Sequence, residues 1–575
     1  MNRRRFVITG VSAAVAGGAL ATACSVRGIN GLVPGTIESA GEHASGTVLT
    51  TEYAKVTLAG YKLHVRTYNG KTVGPTIETR PGETLAIKVV NKLPPNPKAS
   101  IPRGPVQIPV VESGMEAMDP KHRGPTTLSS GSVDMMNDPH DFNTTNLHVH
   151  GIQTVPHLFA PVGTSDPAAE MIAIDPGHGF SYRFPVPSDH PCGLHWYHPH
   201  HHGSTDMQVS GGCAGLIVMR GDVDEVPEIK AAREILMAVQ SLEVNASKTM
   251  KGWYDREYKA YQTSANGGYS LDADYALMTT NGNPTAWYDV NKGTATNVGT
   301  PPSYSVQPGE VVRLRMLNGT NFAPLMLVLP GFQAWEIGFD GVNLLKPAYV
   351  DMSGKNTTLV TPINVFTAPI RFAFSGNRIE LLLQAPQAPG TYALQSLGSA
   401  GFSGNIPPFN IAHFVVSGPP KPMKIPSKLP TPTREYPLIT AANVKAKRTI
   451  VFNQGACKQE LTGFCFEIDQ KLYDEATCAF SPKVGTCEEW RLENATPDGH
   501  PFHIHTNSFQ LIAINDKAVD PVQIWDTHVI PPKIGPKNGS LTIRIRFKEW
   551  KGKDVFHCHI LPHEDTGMMV NFLLV

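Results

Sequence analysis

The sequence predicts an all-β protein built of three consecutive Greek-key β-sandwich domains behind a disposable leader. Three observations carry this. Glycine (52) and proline (49) are abundant while charged residues make up only 17% of the 575 positions, a balance that suits short strands joined by many turns. Three segments echo one another: "RPGETLAIKVVN" ending at Asn91, "QPGEVVRLRMLN" ending at Asn318 and "KVGTCEEWRLEN" ending at Asn494. Each is a glycine turn, an alternating strand and a closing asparagine, and recurrence at domain-sized separations marks copies of one unit. Finally, no segment reads as a long periodic helix, and a chain of this length exceeds a single hydrophobic core.

Residues 1–44 are read as leader and linker. Arg3 and Arg4 precede Arg5-Phe6 as in a twin-arginine export signal, and an apolar, glycine-interrupted stretch runs from Phe6 to Ala23. That stretch is too short and too glycine-rich for a stable membrane span. Cleavage after Ala23 fits a small-residue site, while Cys24 at the next position leaves lipid attachment open. In either case a periplasmic or cell-surface location is expected. The first domain is assigned to 45–223, with a soft boundary near "MRGDVDEVPEI", and the second to 224–418. A proline-rich linker covers 419–437, within "SGPPKPMKIPSKLPTPTREYP", and the third domain covers 438–575.

Basic and acidic residues balance at 49 each with no basic stripe, which excludes nucleic acid as a partner class. A monomer is expected. Setting aside Cys24 and Cys558, the six other cysteines of an exported chain permit up to three disulfides. Proximity suggests the pairs Cys192–Cys213, Cys457–Cys465 and Cys478–Cys487.

The chemistry lies in four histidine motifs at the two ends of the chain. "NLHVHG" carries His148 and His150, "HWYHPHHHG" carries His198 and His200, "HPFHIH" carries His500, His503 and His505, and "HCHILPHEDTGMM" begins at His557. Side chains at i and i+2 of a strand share a face, so each pair aims both imidazoles at one site. His557 and His559 then face one way and Cys558 the other. The four pairs contribute eight imidazoles to one cluster, leaving His500, Cys558, His563 and Met568 for a second. Two histidines, a thiolate and a weak thioether are the ligand set of a blue-copper electron-transfer centre. Zinc would prefer four strong ligands and has no use for a covalent wire between sites. His157, His190, His195, His201, His202 and His528 are assigned to supporting or solvent-facing roles. The middle domain carries no such motif and is assigned spacing and packing.

At these motifs the sequence resembles the multicopper oxidases, the laccase-like blue copper enzymes, and most nearly the bacterial three-domain laccases and copper-efflux oxidases. The resemblance covers essentially the whole chain after the leader. It implies three cupredoxin-like domains and four copper ions. The type 1 ion would sit on His500, Cys558, His563 and Met568. The type 2 ion would take His148 and His503, and the type 3 pair His150, His198, His200, His505, His557 and His559. The cluster would lie between the first and third domains. The implied reaction is one-electron oxidation of a small reducing substrate, coupled to four-electron reduction of O2 to water. Glu564 resembles the family's proton-relay glutamate, and Asp166 in "GTSDP" its acidic residue beside the cluster.

Three readings of the activity remain. The first is a laccase acting on phenols and aromatic amines. The second is a metallo-oxidase of Cu(I). The insertion from Pro94 to Phe142 carries Met115, Met118, Met135, Met136, His122 and His140, either soft ligands for Cu(I) or an ordinary loop. Its place in the first domain counts against a methionine-rich cover over the type 1 site. The third is a non-catalytic copper-binding protein, which the complete ligand set disfavours.

Overall fold

The computed structural model describes residues 45–96, 137, 139–246, 253–255, 275–289, 292–355, 371–398, 406–456 and 464–575. The leader with its arginine pair, Cys24, His122 and the four methionines of the insertion lie outside them. Among the described residues no helix is long and apolar enough to cross a membrane.

The three echoing segments become equivalent strands. Thr84–Asn91 pairs in parallel with the domain-opening strand Ser45–Leu58 and antiparallel with Gly179–Pro185. Val311–Asn318 repeats the arrangement between Arg233–Ala246 and Arg378–Gln384. Cys487–Asn494 repeats it again between Val444–Ala456 and Gly539–Arg546. A second sheet faces each, so apolar side chains from both sheets meet in a core. In the first sandwich Leu49, Ile87, Val89 and Phe184 meet Ile217. In the third, Trp490 and Leu541 meet Phe502, Phe556 and Phe572. The fold is thus three cupredoxin-like sandwiches in series. The first two are joined more intimately than separate domains would be. Trp253–Asp255 pairs with both Tyr61–Tyr68 and Arg233–Ala246, making one 13-stranded sheet.

The closing asparagines explain why the echo includes them. Each is fully buried. Asn91 Nδ2 donates to Asn143 O and Ile174 O, while its Oδ1 accepts the Leu93 N–H. Asn318 does the same with Ala323 O, Ala373 O and Thr320 N–H. Asn494 does so with Asp498 O, Ile530 O and Thr496 N–H. Each amide staples the end of its strand to two neighbouring segments. Asn318→Ala strands three backbone groups away from water and is expected to cost about 2–4 kcal/mol, read as a lower urea midpoint at unchanged slope.

The expected cysteine pairs 192–213 and 478–487 do not form. None of the four is joined in a disulfide. Cys192 turns its sulfur against Gly221, where a Cβ would lie 2.0 Å from it. Cys213 is buried in the first core with Tyr68 and Tyr197. Cys487 opens a strand opposite Arg546. Closeness along the chain does not bring these side chains together. Cys457 and the side chain of Cys465 lie outside the described residues.

Candidate metal centres

The strand pairings bring the four motifs together. His148–His150 runs antiparallel to Gly193–His198 with His148 opposite His198. His500–Ile504 runs antiparallel to Gly552–Cys558 with His503 opposite His557. Imidazoles of the first sandwich then stack on those of the third. His148 lies 3.7 Å from His505 and His150 lies 3.8 Å from His503, ring centre to ring centre. All eight predicted rings are buried in one cluster.

The outer nitrogens of the cluster are held by the protein. His148 Nδ1 lies 3.0 Å from His157 Nε2, which also accepts the Val149 N–H. His198 Nδ1 donates to Pro199 O, His503 Nδ1 to Asp526 O and His557 Nδ1 to Cys558 O. His559 Nδ1 lies 3.2 Å from Ser375 Oγ. His150 is turned the other way, with Nε2 3.2 Å from Asp526 Oδ1. The opposite nitrogens of five rings, Nε2 of His148, His198, His503 and His559 and Nδ1 of His150, are buried without a protein partner. The Nε2 atoms of His200 and His505 each approach His557 Nε2, at 3.1 and 3.2 Å. Orphaned lone pairs aimed inward, with outward nitrogens anchored, are what metal ligation requires of imidazole. Burial, reinforced by neighbouring rings, holds His148, His150, His200, His503, His505 and His559 well below the usual 6.5. They are therefore neutral donors.

The second centre lies on the other face of the same strand. Cys558 Sγ is 3.4 Å from His500 Nδ1 and 3.7 Å from His563 Nδ1, and the two nitrogens are 3.3 Å apart. Thr496 Oγ1 lies 2.7 Å from His500 Nε2, which turns Nδ1 toward the sulfur. The His563 ring stacks on Phe466 at 3.8 Å. Met568 is fully buried in the same core, and its carbonyl accepts the Cys558 N–H. Burial pushes the Cys558 thiol far up, so a thiolate there needs a cation beside it. The short helix Leu561–Asp565 carries His563 to this centre and Glu564 back to the cluster. Asp565 pins that helix to the first sandwich by accepting N–H bonds from Gly203 and Asp206.

The two carboxylate expectations part company. Glu564 is fully buried, with oxygens 3.3 Å from His200 Nδ1 and 3.0 Å from His557 Nδ1. Asp166 is exposed and spends its Oδ1 on the Ala168 N–H of its own turn, so it is not the acid beside the cluster. The acids found there are Asp526, on His150, and Asp554, whose Oδ1 lies 3.9 Å from His505 Nδ1. Burial pushes Asp554 up to about 7. Of the other histidines, His157 supports His148, and His528 Nδ1 donates to Val529 O. His201 is half-buried, 6.3 Å ring to ring from His140. His202 and His195 are buried, the latter with a ring atom 2.1 Å from where a Gly341 Cβ would stand. His190 accepts the Gln153 N–H at Nε2 and donates from Nδ1 to Pro191 O, a fixed neutral tautomer.

Burial lowers His190 from 6.5 to about 4. The unfolded chain therefore binds more protons between those values, and stability falls as pH drops through that window. For this group the loss is about 3 kcal/mol. Urea midpoints measured across that range on wild type and His190→Gln should converge toward the acid end.

The middle sandwich is not a bystander. Beyond Ser375, its Gly376 is so close that a Cβ would lie 3.0 Å from His559 and 3.1 Å from His150. Its Arg378 reaches Asp526 with two N–H donors.

Two adjoining donor sets, one with a thiol and one of imidazoles, on serial cupredoxin-like sandwiches fit a multicentre copper protein. Two family models, both described as multicopper oxidase, match residues 441–575 and residues 50–101 with 130–223. A multicopper oxidase of Staphylococcus aureus is 23% identical over 508 residues, 87% of this chain and 82% of that protein. A laccase of Bacillus subtilis is 22% identical over 524 residues, 87% and 88% of the two chains. A solved Campylobacter jejuni multicopper oxidase, described as a metallo-oxidase, superposes with TM-score 0.63 at 22% identity over 93% of each chain. The McoA multicopper oxidase of Aquifex aeolicus gives 0.64 at 18% identity, over 94% of this chain and 100% of that one. The chain belongs to the multicopper oxidase family.

Proposed function

We propose that this protein is a laccase-like oxidase, oxidising a small reducing substrate one electron at a time at His500, Cys558, His563 and Met568. It would reduce O2 to water at the eight-imidazole cluster. In this reading His148 and His503 hold the type 2 ion, and His150, His198, His200, His505, His557 and His559 hold the type 3 pair. When bound, the four copper ions supply reversible one-electron chemistry and a place for O2. The supporting observation is the strand ending at Cys558: its sulfur belongs to one donor set and its two neighbours to the other. A few backbone atoms join the two centres, and the direct His557 Nδ1 to Cys558 O hydrogen bond adds a shorter route.

The chain's own groups have the remaining work. The fixed outer nitrogens orient the rings, and the dry surroundings of the cluster exclude stray solvent. Glu564, between His200 and His557, is placed to hold and pass a proton to the cluster. The leader supports export by the twin-arginine route, and the domain limits 45–223, 224–418 and 438–575 follow the three repeats.

One observation favours the Cu(I) reading. The fully buried Asn137, directly after Met135 and Met136 in sequence, donates its amide to Tyr473 O. Its Oδ1 lies 3.2 Å from where a Gly567 Cβ would stand, one residue from Met568. The end of the insertion thus reaches the loop of the thiolate centre, and membership of the first domain does not count against it. Oxygen uptake by copper-loaded protein with a phenol and with Cu(I) as separate sole donors decides. Faster phenol turnover supports the laccase, and faster Cu(I) turnover replaces it with the metallo-oxidase.

A further inference from the structure

We propose that Arg378 is a positioning residue of the imidazole cluster, holding the Asp526 carboxylate against His150 and so making the middle sandwich a working part of the oxygen-reducing centre. The inference rests on the proposed function above.

Arg378 stands at the start of the strand Arg378–Gln384, and its guanidinium is completely buried. Nη1 and Nη2 grip Asp526 Oδ1 and Oδ2 as a fork, Nη1 also donates to Gly376 O, and Nε donates to Leu194 O of the first sandwich. Asp526 then acts twice. Its carboxylate accepts from His150 Nε2 and its backbone oxygen accepts from His503 Nδ1. Those two rings, one from each metal-bearing sandwich, are stacked on each other. One arginine therefore sets, through one aspartate, both the ring orientation and the free nitrogen of two ligand histidines.

The surroundings are arranged for this grip. Asp340 of the middle sandwich accepts the Asp526, Thr527 and Arg378 backbone N–H groups, fixing both ends of the pair. Gly151, directly after His150, has φ +85, and a Cβ there would lie 2.2 Å from Arg378 Nη2 and 2.7 Å from Asp526 Oδ2. The glycine of the first histidine motif is the space the guanidinium occupies. Stability alone is a poor reason for such a pair. Desolvating a guanidinium and a carboxylate consumes most of their attraction, and apolar side chains fill such sites as well. Geometry is the better reason, because only a planar fork can hold a carboxylate by both oxygens.

The test compares copper-loaded full-length wild type, Arg378→Lys and Arg378→Met. Its readouts are copper per chain, the type 2 electron-paramagnetic-resonance signal, and kcat against KM, with the visible band of the Cu–thiolate centre as an internal control. Arg378→Met is expected to keep that band while shifting the type 2 signal. Its kcat should fall roughly 10–100-fold, the usual consequence of losing an outer partner, at unchanged KM for the electron donor. Arg378→Lys keeps the charge without the fork and should show the same shift with a smaller loss, so it carries the test if Arg378→Met does not fold. Variants with an unchanged type 2 signal, and activity lost only in proportion to folded protein, would overturn the proposal. Wild type that binds no copper removes the proposed function, and this inference with it.

Discussion

Cys558→Ser leaves a folded protein that no longer oxidises its electron donor. The serine hydroxyl nearly fills the space of the thiol, and His557 and His559 point to the opposite face of the chain from Cys558, so the geometry of the cluster survives. What disappears is the thiolate, the strong soft ligand of the pocket, and with it the covalent start of the route to His557 and His559. The expected loss exceeds the roughly 10–100-fold that outer partners of a metal site command. Colour vanishes with it, because the visible band belongs to the copper–sulfur bond. Stopped-flow oxidation of a phenol, with copper content measured on the same sample, checks both. Retained oxidation at a comparable rate would remove Cys558 from the electron path.

Glu564→Gln has the second largest expected effect, and of a different kind. The amide is the same shape and is still buried between His200 and His557, but it cannot ferry a proton. Four protons must reach the cluster for each O2 consumed, and loss of a positioned proton carrier costs roughly 10²–10⁴-fold. Turnover with saturating donor should fall by that factor. The rate at which donor bleaches the visible band without oxygen should stay as in wild type. That split separates proton delivery from electron delivery, since the Glu564 carboxylate lies against His200 and His557 of the cluster. If bleaching slows equally, Glu564 acts on the thiolate centre through the Leu561–Asp565 helix instead.

The ligand pairs were legible because a strand alternates sides without exception over three residues. His148 with His150 and His557 with His559 needed no tertiary knowledge, only the parity of an extended backbone. The three closing asparagines were legible as a repeat, although their stapling role emerged only with the partners in place. What stayed hidden depends on long-range contact. Ser375 and Arg378 sit in "AFSGNRIE" with no motif around them, and they matter because the middle sandwich folds that turn against His559 and Asp526. Asp526 gave no signal of its own beyond an acid in a buried stretch. Asp166 was chosen by its place after the first motif, but its loop turns back on itself and leaves it in solvent. The pairs Cys192–Cys213 and Cys478–Cys487 failed for a related reason, since short separation in sequence says nothing about where two thiols point.

In the proposed function one strand joins an electron-accepting thiolate centre to an oxygen-reducing imidazole cluster. The most direct test is the ratio of donor electrons to O2 consumed by fully copper-loaded protein, followed with the visible band. Four electrons per O2, with the band bleached by donor and restored by oxygen, is the predicted result. A colourless copper-loaded protein, or two electrons per O2 with peroxide released, would contradict it.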